Sequence, residues 1–288
     1  MSIRWLTVFL DFPADTFDAG VAFWREVTGY GLSAARGATG EFATLLPPSG
    51  DAYLRVQRLT DGVGGCHLDL HVETGVESLA AATDRARSFG ADIGHVTDGL
   101  TVAASPGGFP FCLTGWDGER AVPPPLAGAG GGANRGADGG TTRVDTLCVD
   151  VPPSAFEREC SFWAELTGWA VRPLPFPEYV ALRPAPADEV MPARVILQRL
   201  GGSDPGERVR GHVDFGCTDP DALRRHVALG ARVTRALEHW TVLTDPAGRE
   251  YCLVNRAQNA KRTSTVLRCG PLREQHRDLG NTALSAGH

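Results

Sequence analysis

Ala22-Phe23-Trp24 … Thr28-Gly29-Tyr30 … His67-Leu68-Asp69-Leu70 decides how this chain folds, because the chain carries it twice. Ser161-Phe162-Trp163 … Thr167-Gly168-Trp169 … His212-Val213-Asp214-Phe215 follows in the same order, shifted by 139 positions at Phe23 and by 145 at His67. Around this frame Asp11-Phe12-Pro13 matches Asp150-Val151-Pro152, Gln57-Arg58-Leu59 matches Gln198-Arg199-Leu200, and Phe111-Cys112-Leu113 matches Tyr251-Cys252-Leu253. Collinear matches with a small drift are the signature of an internal duplication. The drift falls around Pro173–Pro177 and Pro184–Pro192, where prolines mark loops.

Each copy has a regular order. Trp5–Phe12 is β-rich and stops at Pro13; Phe17–Thr28 has apolar residues at helical spacing and stops at Gly29. Phe42–Leu46 and Tyr53–Leu59 are two short strands around a Pro-Pro-Ser-Gly turn. Strand, helix and three strands then follow over His67–Val72, Val76–Phe89, Ile93–Val96, Leu100–Ala104 and Phe109–Leu113. The second copy repeats the order from Val144 to Asn255. The class is α+β: two tandem domains, each of two βαβββ modules. The domains are 1–116 and 142–256. Between them lies a Gly/Pro-rich linker, 117–141, without apolar periodicity and expected to be flexible. The polar tail 257–288 has no repeat partner and is expected to be disordered.

Bulk properties narrow the function classes. A net charge of −6 argues against a nucleic-acid or anionic-membrane surface, which needs clustered positive charge. No stretch reaches the ~18 apolar residues of a membrane span. Seven cysteines without tight spacing do not make a disulfide framework, so a reduced, cytoplasmic protein is expected. Neither a phosphate loop nor a nucleophile elbow is present.

With its Asp-Phe-Pro, Phe-Trp and Thr-Gly-aromatic stretches and its closing Asp245-Pro246-Ala247-Gly248-Arg249 turn, the chain resembles the glyoxalase-like, or vicinal oxygen chelate, superfamily. The resemblance implies a curved sheet in each copy around a small-molecule pocket. It also implies metal ligands on the first, fourth, fifth and eighth strands. Those positions fall on Thr7, Gln57, His67 and Cys112 in the first copy and on Thr146, Gln198, His212 and Cys252 in the second. Only histidine survives as a good ligand, so no metal cofactor is expected.

His67 and Asp69 alternate on one strand and share a face, as do His212 and Asp214. Aspartate is disfavoured in strands, so the pair needs a reason. In one reading each Asp orients its His, and His67 or His212 acts as general base; in the other the pair is a satisfied buried device of the sheet. Asp11 and Asp150 either join the pockets or cap turns. Thr7, Gln57, Cys112, Thr146, Gln198, Trp240, Glu250 and Cys252 are expected to contact the ligand, with Trp240 either stacking on it or packing in the core. Glu250 shares a face with Cys252, while its counterpart is Pro110.

The expected function is a metal-free lyase or isomerase working through the His/Asp pair. The alternatives are a non-catalytic small-molecule or antibiotic binder and, less favoured, a metal-dependent dioxygenase. The expected partner is a small-molecule ligand, and the expected state is a monomer with a pseudo-dimeric domain arrangement.

Overall fold

The computed structural model describes residues 2–75, 77–128, 139–185, 190–201 and 206–257. In each copy one long strand organises the sheet. β1 (Ile3–Pro13) places Val8, Leu10 and Phe12 in the core and Thr7, Phe9 and Asp11 on the opposite face, as period-two geometry requires. α1 (Phe17–Thr28) follows, then β2 (Gly31–Leu32), β3 (Phe42–Leu46), β4 (Leu54–Leu59), β5 (Gly65–Val72), α2 (Leu79–Ser88), β6 (Asp92–Val96), β7 (Leu100–Ala104) and β8 (Pro110–Gly115). The strands pair in the order β2-β3-β4-β1-β5-β8-β7-β6.

β9 (Leu126–Ala127) leads into the second copy: β10 (Thr141–Val151), α3 (Phe156–Thr167), β11 (Ala170–Pro173), β12 (Tyr179–Arg183), β13 (Arg194–Arg199), β14 (Arg210–Cys217), α4 (Ala222–Ala228), β15 (Arg232–Ala236), β16 (Trp240–Thr244) and β17 (Glu250–Asn255). Its sheet runs β11-β12-β13-β10-β14-β17-β16-β15, the same topology, with β9 added beside β10. The α+β class and the duplication expected from sequence are both present. β2 and β11 are too short to show in a hydropathy pattern. No described helix is long and apolar enough to cross a membrane.

The repeated Thr-Gly-aromatic stretch is a helix stop. Gly29 (φ 70°) and Gly168 (φ 73°) take the left-handed conformation that ends α1 and α3. Thr28 and Thr167 each donate a hydroxyl back to the carbonyl four residues earlier, on Trp24 and Trp163.

Those tryptophans join the two copies. Trp24 lies parallel to Phe215 of the other sheet at 5.8 Å and edge-on to Tyr251 at 5.4 Å. Its indole N–H donates to Asp245 Oδ2 at 2.7 Å. Trp163 packs in return on Phe111 at 5.3 Å and Phe109 at 6.1 Å, and donates to Glu159 at 3.0 Å. Glu159 also accepts from Ser105 Oγ and the Gly107 N–H of the first copy. Each helix thus covers the core face of the other copy's sheet, and a single apolar core runs through both domains. Both tryptophans are fully buried, roughly 200 Å² of mostly apolar surface each, so they contribute several kcal/mol apiece to the junction.

The described part of the expected linker is attached to the folded domains. The Asp51 carboxylate accepts the N–H groups of Arg120 and Ala121 at 2.8 Å each, and β9 pairs with Thr141 and Thr142. Composition carries no trace of these contacts, since they satisfy backbone groups rather than bury side chains. The middle of that linker, 129–138, and the expected tail from 258 onward lie outside the described residues.

Candidate active site

The strand faces turned away from the core carry the candidate residues. In the second copy these are Thr146, Cys148 and Asp150 on β10, Ile196 and Gln198 on β13, His212 and Asp214 on β14, and Glu250 and Cys252 on β17. A cavity of about 500 Å³ opens on this face. Its lining comes from β10, β12, β13, β14, β15, β16 and β17, so the sheet wraps around it. His212, Gln198, Trp240, Glu250 and Cys252 line it as the sequence leads one to expect. Asp150, left open between pocket and turn by the sequence, lines it as well, and so do Phe176, Tyr179, Arg210 and His239, which the sequence did not single out.

The imidazole of His212 stands between two carboxylates. Its Nδ1 is 2.9 Å from Asp150 Oδ2, and its Nε2 is 3.3 Å from Asp214 Oδ1. The expected orienter was Asp214, its strand neighbour; the structure gives that part to Asp150, from the adjacent strand. A signal was available: Asp150 lies four residues after Thr146, hence on the same face, and opposite Gln198 in the parallel ladder. Asp214 Oδ1 is buried, and it meets the His212 ring as an ion pair. Burial disfavours the imidazolium, but the charge of Asp150, together with hydrogen bonds to both carboxylates, outweighs it and holds the His212 pKa well above the usual histidine range. The imidazolium therefore supplies the positive charge between the two carboxylates. Cys252 completes the cluster, with His212, Asp214 and Cys252 offering ligand atoms all within 4.8 Å of one another. Burial, with the Asp214 charge added, pushes the Cys252 thiol up to about 11.

The first copy repeats the cluster, but that cluster lines neither of the two cavities described for the chain. His67 Nδ1 is 2.9 Å from Asp11, and His67, Asp69 and Cys112 lie together as their counterparts do. Phe9 stacks on the His67 ring at 4.1 Å and 15°. The corresponding residue of the second copy is Cys148, which is buried against Ala181 and Ile196. Arg55 lies 3.8 Å from Asp69 and over the Phe9 ring; its counterpart is Ile196. A guanidinium thus stands beside the first cluster, as Arg210 stands 3.8 Å from Asp150 in the second, and a phenyl ring covers the first imidazole. His67, Asp69 and Cys112 line neither cavity described for the chain; the smaller, of about 250 Å³, lies at the rim and includes Gln57.

Two expected ligand contacts are placed elsewhere. Thr7 is fully buried and bonds His71 Nε2 at 2.9 Å. Thr146 is fully buried too, and its hydroxyl oxygen accepts from Arg194 at 3.0 Å and Arg256 at 2.7 Å.

A family model described as a glyoxalase-like domain matches residues 7–114 and again residues 146–254. The chain belongs to the glyoxalase-like domain family. No curated protein sequence matches it. Among solved structures it is similar to 2,2',3-trihydroxybiphenyl 1,2-dioxygenase from Sphingomonas wittichii strain RW1, with 16% identity, a TM-score of 0.59, and 88% of this chain and 90% of that one covered. It is also similar to a Mn(II)-bound glyoxalase from Novosphingobium aromaticivorans, at 16% identity, a TM-score of 0.57, and 88% and 81% coverage. A catechol 2,3-dioxygenase matches at 16% identity and a TM-score of 0.53, covering 91% and 97%. At such identities the likeness concerns the fold of this family member, not its chemistry.

A metal is present by name in one of these relatives, and the cup of this glyoxalase-like chain fits one. A tetrahedral ion with bonds of ~2.0–2.1 Å sets its ligand atoms about 3.3 Å apart, which is the spacing of His212 Nε2 and Asp214 Oδ1. Asp150 on Nδ1 makes the carboxylate–histidine arrangement that orients a ligating imidazole. The expectation of no metal cofactor is therefore not supported. It rested on Thr7 and Thr146 as lost ligands and did not count Asp214, a donor outside the family pattern.

Proposed function

We propose that the C-terminal cup is the working site of this protein, a lyase or isomerase pocket for a small polar molecule, with a divalent ion held by His212, Asp214 and Cys252. The observation that carries this reading is the meeting of Asp214 Oδ1 with Nε2 at 3.3 Å and with Cys252 within 4.8 Å, behind a cavity that His212 and Cys252 line. The nitrogen, oxygen and thiolate donors suit zinc better than manganese or magnesium. An ion held there would supply Lewis-acid polarisation of a substrate oxygen.

The remaining work falls to the protein's own groups. Asp150 fixes the imidazole tautomer. Gln198 and Tyr179 line the cavity with polar tips that orient a substrate. Glu250 is the proton carrier. It lies two residues from Cys252 on the same strand face, roughly 7 Å along the strand, lines the cavity, and is exposed enough to exchange protons with water. Proton transfer next to a polarised oxygen is the step lyases and isomerases share. The N-terminal cup, with Phe9 and Arg55 in place, serves as scaffold in this reading.

Binding without chemistry is the second reading. It is favoured by the fact that both nitrogens of His212 already face carboxylates. A dioxygenase is less well supported, because the cluster holds one imidazole where a two-histidine, one-carboxylate set needs two.

The test is equilibrium dialysis of metal-stripped protein against zinc and manganese chloride. One zinc per chain, lost in His212→Ala and Asp214→Asn and kept in His67→Ala, is the expected result. Loss of the ion in His67→Ala with retention in His212→Ala would overturn the assignment. Ligand-induced stabilisation with no product by mass spectrometry would favour the binder.

A further inference from the structure

The mouth of the C-terminal cavity has a chemistry of its own. The β11–β12 connection brings Phe176 beside Tyr179 at the start of β12, and the β15–β16 turn brings His239 beside Trp240 at the start of β16. Phe176 meets Trp240 at 5.5 Å and 83°, Tyr179 meets Trp240 at 6.1 Å and 83°, and Phe176 meets Tyr179 at 6.4 Å and 73°. All three rings line the cavity. Three rings set nearly perpendicular make a corner of a box rather than a slot. A flat aromatic ligand is best held between parallel faces, and no pair among these three is parallel. A compact cation is attracted to ring faces from several directions at once.

Charge points the same way. Glu178, Glu238 and Glu250 line the same cavity. With Asp150, shared between His212 at 2.9 Å and Arg210 at 3.8 Å, four carboxylates face two guanidiniums and the imidazole of His212, and Arg235 stands exposed on β15. The first copy has no such corner. Phe42 and Leu100 occupy the ladder positions of Tyr179 and Trp240. The aromatic corner is therefore not a packing device of the repeated fold, since the sister domain folds without it.

We propose that this corner takes the ammonium end of a small organic cation, a tertiary or quaternary amine, whose other end reaches the His212 floor. This rests on the C-terminal cavity being the ligand site. The cation sets substrate class, and the floor does the chemistry.

The experiment is isothermal titration of the full chain with three probes: choline, its uncharged isostere 3,3-dimethyl-1-butanol, and benzoate. Choline is expected to bind about tenfold tighter than the isostere, which corresponds to ~1.4 kcal/mol. Trp240→Leu, which installs the residue of the sister domain, is expected to remove that advantage. Glu178→Gln is expected to reduce it while leaving the isostere unchanged. Equal binding of choline and the isostere, or tighter binding of benzoate, would overturn the cation assignment and leave the cavity reading intact. Failure of all three probes to bind would sink both. An unchanged choline affinity in Trp240→Leu would also remove the proposal, because the ring corner would then not be the binding element.

Discussion

Cys148→Phe should close the working cup. Cys148 faces His212 across the β10–β14 ladder, as Phe9 faces His67 across β1–β5. In the first copy that ring lies 4.1 Å from the imidazole and nearly parallel to it. The introduced ring has the same backbone position and the same imidazole to stack on. Two costs follow. Cys148 is 1% exposed and packs with Ala181 and Ile196, so the larger side chain overpacks the site by about 1–3 kcal/mol. At this chain size each kcal/mol lowers Tm by about 2–4 °C. A ligand reaching the floor must then displace a buried phenyl ring worth about 1.5–3 kcal/mol, which weakens binding roughly 10- to 150-fold. The assay joins a crystal structure of the variant with titration of the probes named above. The ring should fill the His212 side of the cavity, and any ligand spanning from mouth to floor should lose affinity by that factor. A variant that unfolds cooperatively, keeps its cavity and binds with unchanged affinity would refute the argument that residue size at this position decides which cup works.

The reciprocal change, Phe9→Ala, should cost about 3–5 kcal/mol in denaturant unfolding, because it empties a buried site; a cost below ~1 kcal/mol would mean the first cup is already loose. Asp150→Asn should weaken zinc binding about 10- to 100-fold without unfolding the chain, as removal of a partner that orients a ligating histidine does; unchanged affinity by competition with a chelator would remove Asp150 from that role. His226 is 1% exposed, bonds the Tyr251 hydroxyl at 2.9 Å, and is held neutral by burial and by Arg225, its pKa pushed down to about 4. A depressed folded-state pKa contributes stability that is whole above the unfolded value of ~6.5 and is lost as pH falls from there through about 4. His226→Phe should flatten stability against pH across that window, and an unaltered pH profile in urea melts would contradict it. Gly211→Ala should destabilise the domain junction, since a Cβ there would stand 2.7 Å from the Phe109 ring; a Tm equal to that of the parent chain would show that the ring yields freely.

Much of the fold was legible because it depends on patterns local in the chain. The Phe-Trp pair and the Thr-Gly stop define α1 and α3 through helical spacing and one left-handed glycine each. Strand alternation puts His67 with Asp69 and His212 with Asp214 on one face before any partner strand is known. The candidate site was only partly legible. His212, Gln198, Trp240, Glu250 and Cys252 do line the cavity, whereas Thr7 and Thr146, aligned to ligand positions of the family, have their hydroxyls engaged by His71 and by arginines. Asp150 was left between pocket and turn, because its meaning depends on which histidine crosses from the next strand.

By itself the sequence determined the duplication, the order of elements and the face of each strand, because periodicity and turn chemistry act over a few residues. Tertiary structure alone decided that Phe9 and Cys148 stand opposite the imidazoles of His67 and His212, through ladder register. It also decided that Phe176 and Trp240, far apart in the chain, meet at the cavity mouth. Such contacts depend on how distant strands are paired and how the sheet curls, and no local pattern encodes the distance between residues that only a closed sheet brings together.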